Sequence, residues 1–377
     1  MPKVRVGVMF GGRSGEHEVS LMSAASILSR LDRGKYDIVE IGITHQGQWI
    51  VGEGVLELLK QRASGGRRAV FFPEPGSSGL WGYEAAGDPK EIVLHLADRI
   101  DILFPILHGT FGEDGTLQGL LEMAEMPYVG AGVLASSVAM DKGLFKDLMR
   151  ACSIPVPEYA LVLRRDIERD MEGVVRKAEA VSSYPLFTKP ANLGSSVGVS
   201  RCANRSDLSE GLLDAARYDR RVLIERGINA REIEVSVLGN DDPRASLPGE
   251  VIPSRDFYSY ESKYIDDSSR LIIPAPLAPE KTREAQELAV RVCKAIDCAG
   301  MARVDFLLDR ESQALWVNEA NTLPGFTQIS MYPKLWEATG IPYPQLLDKL
   351  IELGFQRHAE NVRNERSYES ASPASKR

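Results

Sequence analysis

The chain has 377 residues, of which 44% are hydrophobic, so it can bury a sizeable core in two or three domains. A formal net charge of −8, without any basic run carrying interleaved aromatic residues, argues against a nucleic-acid partner. No apolar run reaches about 18 residues and the chain starts directly in a strand pattern, so we expect a cytoplasmic protein without a membrane partner. The four cysteines form no C-x-x-C pattern and the five histidines are scattered, which makes zinc and a disulfide framework unexpected.

The first part of the chain alternates strand and helix patterns. "VRVGVMFGG" followed by "VSLMSAASILSRL" indicates a strand, a glycine loop and a helix, and "DILFPILHG" before "GTLQGLLEMAEM" repeats the plan. Such alternation predicts a parallel sheet with its functional loops at the carboxyl ends of the strands. The polar loops "GGRSGEHEVS" and "HGTFGEDGT" occupy those ends. Residues 1–135 are therefore predicted to form an N-terminal α/β domain.

Three further segments are predicted, which make the fold class α/β combined with α+β. Residues 136–226 form a small central domain, in which short strands flank the glycine loop "KPANLGSSVGVS" and the helix "DLSEGLLDAARY". Residues 227–358 form a C-terminal domain with the strand "REIEVSVLG", the helix "EKTREAQELAVRVCKAI" and a hairpin. Residues 359–377 are polar and lack periodicity, which is typical of a disordered tail.

The hairpin at residues 301–321, "MARVDFLLDRESQALWVNEAN", carries polar side chains away from its turn. Side chains alternate along a strand, so Arg303 and Asp305 share a face, as do Glu319 and Asn321. If Asp305 opposes an odd-numbered residue such as Glu319, all four share one surface. Buried carboxylates are costly unless they are paired or bind a cation, and these oxygens suit Mg²⁺. We favour a magnesium site; an ion pair of Arg303 with Asp305 or Glu319 is the alternative.

The glycine loop is a candidate phosphate site to accompany such an ion. Lys189 ends a strand, and the small residues Ser195, Ser196 and Gly198 follow, so backbone N–H groups can approach phosphate oxygens. The loop matches neither of the two common nucleotide fingerprints. A plain hairpin turn is the alternative interpretation.

Glu16 and His108 are candidates in the two N-terminal loops. Glu16 follows the first strand, and its alternative roles are to face solvent or to help cap the next helix, where an acidic group favours the dipole. His108 is alternatively a turn residue whose hydrogen bonds are satisfied within the protein.

Seven segments in order and approximate spacing resemble the D-alanine–D-alanine ligases of the ATP-grasp superfamily. They are "GGRSGEHEVS", "HGTFGEDGTLQG", "MDK", "KPANLGSSVGVS", "FYSYESKY", "ARVDF" and "NEANTLPGFTQISMYPKLW". The resemblance covers residues 3–356 and implies an ATP-grasp fold, in which three domains clamp ATP between two antiparallel sheets, usually in a homodimer. It implies ligation of two D-alanine molecules through a D-alanyl phosphate, with ATP converted to ADP and phosphate, for peptidoglycan precursor synthesis.

The resemblance also implies roles for individual residues. The implied ligands of two Mg²⁺, with Mn²⁺ as a substitute, are Asp305, Glu319 and Asn321. The implied ATP contacts are Lys142, Lys189, Lys263, Ser195 and Ser196 for the phosphates, Glu225, Arg226 and Ile228 for adenine, and Glu232 for ribose. The implied D-alanine contacts are Glu16 with Ser195 and Tyr264 for the first ammonium, His108 beside that substrate, and Ser330 with Met331 for the second carboxylate. Arg303 and the Gly325 N–H would stabilise the tetrahedral oxyanion.

The segment around Tyr264 bears on the second substrate. Residues 255–267 are expected to form a mobile lid that excludes water from the acyl phosphate. Tyr264 in "ESKY" favours an amine as the second substrate, because D-alanyl-D-lactate ligases differ in this loop. No base for that amine is evident. Departures from the family pattern at Gly15, Thr188 and Ala320 remove no polar functional group.

Three other functions stay open. A D-alanyl-D-lactate type ligase would use the same scaffold. An ATP-grasp carboxylase or a peptide ligase of other specificity is disfavoured by the segments around Glu16 and Ser330. A non-catalytic nucleotide-binding or amino-acid-binding regulator is disfavoured because the polar residues of the hairpin are all present.

Overall fold

The structure, a computed structural model, describes residues 2–77, 79–85, 92–252 and 270–366. The predicted lid at residues 255–267, with Lys263 and Tyr264, lies outside this part of the chain, as do residues 367–377 of the predicted tail. Within the described ranges, no helix is long and apolar enough to cross a membrane.

The N-terminal domain is built on a seven-stranded sheet with the order β6-β5-β4-β3-β2-β1-β7. Its strands are β1 (Val4–Gly11), β2 (Tyr36–Ile43), β3 (Trp49–Val51), β4 (Arg67–Phe71), β5 (Gly79–Ala85), β6 (Ile92–Arg99) and β7 (Ile102–Pro105), and its helices are α1 (His17–Arg30), α2 (Val55–Lys60) and α3 (Thr116–Met123). The predicted parallel sheet is confirmed where β1 pairs with β2 and β7. Beyond β2 the pairing is antiparallel, since antiparallel neighbours need only short connections.

The central part contains a four-stranded antiparallel sheet with the order β10-β9-β11-β8. Its elements are α4 (Val133–Met140), α5 (Lys142–Ala151), β8 (Tyr159–Leu163), α6 (Arg164–Arg169), α7 (Met171–Glu179), β9 (Leu186–Pro190), β10 (Ser200–Cys202), α8 (Arg205–Tyr218) and β11 (Arg221–Arg226). Leu208 and Leu212 of α8 are fully buried in one core with Val222 and Ile224 of β11. This packing holds the sheet on which the glycine loop is mounted.

The C-terminal part contains a second antiparallel sheet with the order β15-β14-β12-β16-β17, and β13 pairs with β12. Its elements are β12 (Ala230–Leu238), β13 (Arg244–Ala245), β14 (Gly249–Ile252), β15 (Arg270–Ile272), α9 (Pro279–Ala295), β16 (Met301–Asp309), β17 (Leu315–Asn321), α10 (Met331–Ala338) and α11 (Tyr343–Asn361). Leu346 and Leu350 of α11 share a core with Val6 and Phe104 of the first sheet. The last helix therefore ties the end of the described chain to its beginning.

The start of the predicted disordered tail is corrected by this helix. We expected the tail to begin at residue 359, but α11 continues to Asn361. Arg366, beyond the helix, forms an ion pair with Glu125. The absence of hydrophobic periodicity did not end the helix, because no glycine or proline interrupts the chain there.

Candidate active site

A cavity of about 380 Å³ brings together residues from all parts of the chain. The predicted site residues that line it are Glu16, His108, Lys142, Ser195, Arg303, Glu319, Asn321, Gly325, Ser330 and Met331. The predicted residues that are described but do not line it are Lys189, Ser196, Glu225, Arg226, Ile228, Glu232 and Asp305. The substrate and oxyanion residues thus meet in one place, while the proposed adenine and ribose contacts lie apart from it.

Glu16 links the first strand to the glycine loop. It directly precedes α1, but its side chain makes no capping hydrogen bond to that helix. Instead Glu16 Oε1 accepts a hydrogen bond from Ser195 Oγ, across 179 positions of the chain. Gly109 and Gly194 leave room for this carboxylate, since a Cβ atom would lie 2.4 Å and 3.1 Å from Glu16 Oε2 respectively. The side chain is therefore placed in the cavity, although Glu16 occupies the N-cap position of α1.

The glycine loop combines both interpretations made from the sequence. It joins β9 and β10, which pair antiparallel, so it is a hairpin connection. Ser195, Ser196 and Gly198 have φ angles of +52°, +57° and +70°. Left-handed conformations in non-glycine residues cluster at ligand clamps and switch regions. The loop therefore departs from an ordinary tight turn at the residues that the sequence singled out.

His108 is held by the protein on both sides of its ring. Its Nδ1 lies 3.1 Å from the Leu323 carbonyl oxygen and its Nε2 lies 3.2 Å from Ser23 Oγ. Burial lowers the pKa of His108, so the neutral ring is favoured. The ring nitrogens of His108 therefore have hydrogen-bond partners within the protein, as the alternative interpretation expected. His108 also lines the cavity.

Glu113 is a cavity residue that the sequence analysis missed. Its Oε2 accepts a hydrogen bond of 2.7 Å from the Gly109 backbone N–H. Removal from water and the nearby carboxylate of Glu16 raise the pKa of Glu113 to about 8. Glu113 lies in the segment "HGTFGEDGT", but acidic loop residues are usually exposed. Its removal from water beside Glu16 therefore becomes evident only from the structure.

The hairpin of β16 and β17 places its polar residues as predicted. Asp305 lies opposite Glu319, and Arg303 lies opposite Asn321, with an irregularity after Asp305. The Arg303 guanidinium forms two hydrogen bonds of 2.7 Å and 2.6 Å with Asp305. It also lies 3.0 Å from Oε2 of Glu234, a β12 residue that the sequence analysis missed. The ion-pair alternative is therefore present in this structure.

The remaining hairpin residues supply further oxygen atoms close to Asp305. The Asn321 side-chain amide donates to Asp305 Oδ2 at 3.0 Å, and Glu319 Oε2 lies 3.5 Å from Lys142 Nζ. Among the described residues, no group of three His, Cys, Asp or Glu side chains is arranged to hold a metal ion. Two carboxylates and an amide on one surface nevertheless form a donor set of the type that Mg²⁺ accepts, with space for outside ligands in the cavity.

Helix α5 carries two lysines toward the space between the antiparallel sheets. Asp141 caps this helix by accepting from the Leu144 N–H at 2.8 Å. Lys142 Nζ, in the first turn, donates to the Leu193 carbonyl of the glycine loop at 2.8 Å. Lys146, one turn later, is fully buried and lies 3.0 Å from Oε2 of Glu225. The sequence analysis missed Lys146, although its spacing from Lys142 places both on one side of a helix.

The proposed adenine and ribose residues surround the junction of β11 and β12. Glu225, at 2% exposure, is also paired with Lys189 at 3.3 Å. The Arg226 side chain pairs with Glu158 at 3.1 Å, and its backbone N–H donates to the Glu158 carbonyl oxygen at 2.9 Å. Ile228 lies between the two strands, and Glu232 pairs with Leu307 and Val251 in the sheet. These residues lie close together along the chain, in and between β11 and β12.

The Pro-Gly segment after the hairpin turns back into the cavity. A Cβ atom on Gly325 would lie 2.8 Å from Ser330 Oγ, so a side chain there would displace that hydroxyl. Ser330 Oγ accepts from the Thr327 N–H at 2.9 Å, and Met331 begins α10. Backbone N–H groups at a helix start favour an anion. Ser330 and Met331 line the same cavity as Arg303.

Comparisons with known proteins agree with the resemblance seen in the motifs. The family model described as "D-ala D-ala ligase N-terminus" matches residues 5–131, and the one described as "D-ala D-ala ligase C-terminus" matches residues 148–352. A D-alanine–D-alanine ligase of Heliobacterium modesticaldum is 50% identical over 97% of this chain and 98% of the relative. One of Natranaerobius thermophilus is 47% identical over 97% and 98%.

Two solved structures extend the similarity to the fold. The D-alanine-D-alanine ligase from Coxiella burnetii superposes with a TM-score of 0.82 at 38% identity, covering 96% of this chain and 97% of that one. The VanG D-Ala:D-Ser ligase from Enterococcus faecalis has a TM-score of 0.78 at 34% identity, covering 94% and 100%.

Proposed function

The chain belongs to the D-alanine–D-alanine ligase family, and from this premise we propose how its residues carry out the ATP-dependent joining of two D-alanine molecules. The observation that carries the proposal is the meeting of Glu16, Arg303, Gly325 and Ser330 around one cavity. These groups come from three distant segments, and they offer an acceptor for an ammonium group and donors for two anionic groups. Such a set matches two amino acids lying head to tail.

ATP would lie between the two antiparallel sheets. We assign its adenine to Glu225 and the backbone of Arg226 and Ile228, and its ribose to Glu232. The implied phosphate contacts are Lys142, Lys189, Lys263 and the N–H groups around Ser195 and Ser196. The γ-phosphoryl group then lies at the cavity, because Lys142 and Ser195 both line it. Phosphoryl transfer depends mainly on such positioning and on charge neutralisation.

In the first step, a carboxylate oxygen of the first D-alanine attacks the γ-phosphorus and ADP leaves. Glu16 would hold the ammonium of that D-alanine, with Ser195 and Tyr264 in one hydrogen-bonded set and His108 beside the substrate. The Ser195 to Glu16 hydrogen bond orients the carboxylate before the substrate arrives. The product of this step is a D-alanyl phosphate.

In the second step, the amine of the second D-alanine attacks the carbonyl carbon, loses a proton, and phosphate leaves with the carbon–oxygen bonding electrons. Arg303 and the Gly325 N–H would stabilise the oxyanion that forms, since preorganised donors are most effective in a site without water. Ser330 and the Met331 N–H would hold the second carboxylate. A side chain at position 325 would meet Ser330 Oγ, so glycine leaves that hydroxyl in place beside the proposed oxyanion donor.

Asp305, Glu319 and Asn321 would hold two Mg²⁺, for which Mn²⁺ would substitute. When bound, such ions neutralise phosphate charge and align the γ-phosphoryl group. Arg303, which donates two hydrogen bonds to Asp305, would hold that carboxylate in place beside the ions. We place the reaction in the cytoplasm, where ATP is available, and expect a homodimer.

Phosphate release from ATP and Mg²⁺ with D-alanine, with product mass measured, tests the function. We expect D-alanine-dependent release and D-alanyl-D-alanine, with L-alanine inactive. Parallel reactions that add D-serine or D-lactate measure the choice of second substrate; the D-serine arm is included because a structural relative is named a D-Ala:D-Ser ligase. An ester product formed only with D-lactate would overturn the assignment of the second substrate, and no release in any reaction would overturn the proposed roles of the cavity.

A further inference from the structure

Lys146 is a fully buried cation that no catalytic step above uses. It lies one helical turn beyond Lys142 on α5, about 6 Å along the axis. Its Nζ is 3.0 Å from Glu225 Oε2 and 3.4 Å from the backbone oxygen of Asn318 on β17. A buried charge costs several kcal/mol unless it is paired, so the charge of this lysine depends on its contact with Glu225. Its contacts point toward a role at the nucleotide.

Two lysines pair with Glu225, and their side chains differ in exposure to solvent. Lys189 lies 3.3 Å from Glu225 Oε1 and its side chain is 15% exposed, whereas the Lys146 side chain is 0% exposed. Under the proposed function, Lys189 contacts the ATP phosphates and must turn away from the carboxylate. The Lys146 side chain is fully buried between Glu225 and the Asn318 carbonyl. It therefore stays beside Glu225 when the nucleotide binds.

We propose that Lys146 is a positioning residue for the nucleotide, the permanent counter-ion that holds the Glu225 carboxylate ionised and directed at the adenine amino group. The inference rests on the proposed function for the location of the adenine. A carboxylate only accepts hydrogen bonds, so it matches the donating 6-amino group of adenine and repels the 6-oxygen of guanine. A protonated acid or an uncompensated carboxylate would lose this selectivity.

The electrostatics of the buried group agree with this role. Burial alone would raise the pKa of Glu225, but the two lysines outweigh burial and lower it. Burial lowers the pKa of Lys146, and the Glu225 carboxylate acts against that shift, so each buried charge favours the ionised form of the other. In the described part of the chain, Lys146 and Lys189 are the two lysines paired with Glu225. If Lys189 turns toward the ATP phosphates, Lys146 remains in contact with the carboxylate.

The test is a double-mutant cycle of Lys146→Met and Glu225→Gln, with steady-state kinetics for ATP and D-alanine. We expect Lys146→Met to lower kcat/KM for ATP by about 10- to 100-fold, the effect of a lost hydrogen bond to a charged group. The KM for D-alanine should change by less than about twofold, and ATP should be preferred over GTP less strongly. In the Glu225→Gln background, Lys146→Met should lower kcat/KM for ATP by less than about threefold, because a neutral amide needs no counter-ion.

Lys177→Met, on the exposed side of α7, is the matched control for loss of a lysine charge in the same part of the chain. The proposal would be overturned if Lys146→Met lowered kcat/KM for ATP equally in the wild-type and Glu225→Gln backgrounds. Parallel changes in the KM values for ATP and D-alanine would also overturn it. If Lys146→Met does not fold, Glu225→Gln is compared with the double variant, in which both buried charges are gone. A difference in ATP-over-GTP preference between those two also overturns the proposal.

Direct binding of ATP and GTP, measured by calorimetry without D-alanine, separates this inference from the proposed function. A wild-type chain that binds ATP in preference to GTP but forms no dipeptide would refute the ligation and leave the role of Lys146 testable by binding alone. Wild-type ligation with an unaltered nucleotide preference in Lys146→Met would refute only the role of Lys146.

Discussion

Gly109→Ala should weaken D-alanine use through the position of Glu16. Gly109 has a φ of +73°, and a Cβ atom there would lie 2.4 Å from Glu16 Oε2. Contacts become ordinary at 3.4 Å, so the carboxylate must recede by about 1 Å. A misplacement of about 1 Å in a substrate-positioning group can cost about 100-fold in rate. We therefore expect kcat/KM for D-alanine to fall by one to two orders of magnitude, or about 10- to 100-fold.

Gly47→Ala separates this effect from backbone strain. Gly47 has a φ of +83°, but its nearest contact for a Cβ atom is Arg13 Cδ at 3.8 Å. Both variants should lose about 1–2 kcal/mol through the left-handed backbone, because L-residues disfavour it. The melting temperature by differential scanning fluorimetry should therefore fall equally in both, while only Gly109→Ala loses activity in the phosphate-release assay. Equal activity in the two variants would refute the reasoning about Glu16.

Three further predictions concern other parts of the molecule. Glu319→Gln should abolish phosphate release with little change in melting temperature, because it removes a metal-binding carboxylate and keeps its shape. In the parent chain, the free energy of unfolding should fall as the pH rises from 4.5, the ordinary pKa of Glu113, to about 8, its raised pKa, because only the folded carboxyl group keeps its proton in this range. Glu113→Gln should make this fall smaller. Arg357→Met should cost about 1–3 kcal/mol of stability and leave kcat unchanged, as it removes the 2.8 Å bond to Glu122 and the stacking on Tyr128.

Each of these has its own control. Unchanged turnover in Glu319→Gln would remove the metal assignment, and Glu337→Gln on the exposed side of α10 checks for a general effect of losing an acid. Thermal melts across pH 5 to 8 that stay parallel in Glu113→Gln and the parent chain would contradict its raised pKa. For Arg357, a normal melting temperature with lost activity would mean that it serves the site instead of the fold.

The polar hairpin was predictable because strand geometry depends on local sequence. Side chains alternate with a period of two, so the spacing places Arg303 with Asp305 on one face of their strand and Glu319 with Asn321 on one face of theirs, and the register between the strands decides whether the two pairs meet. The register of Asp305 with Glu319 confirmed it. The positive φ angles at Ser195 and Ser196 in the glycine loop were not predicted from the sequence, because serine rarely adopts this conformation.

The settings of Lys146 and Glu113 were decided only by the tertiary structure. In the sequence, "MDKGLFKDLMR" is an amphipathic helix whose lysines would normally face water. Lys146 is buried because β11 brings Glu225 and β17 brings the Asn318 carbonyl over the same turn of α5. The pKa of Glu113 is raised because the fold removes its carboxyl group from water and because the loop after β1 places Glu16 beside it. Local patterns determine which side chains share a face, whereas the free energy of a buried charge depends on distant strands that supply its partners.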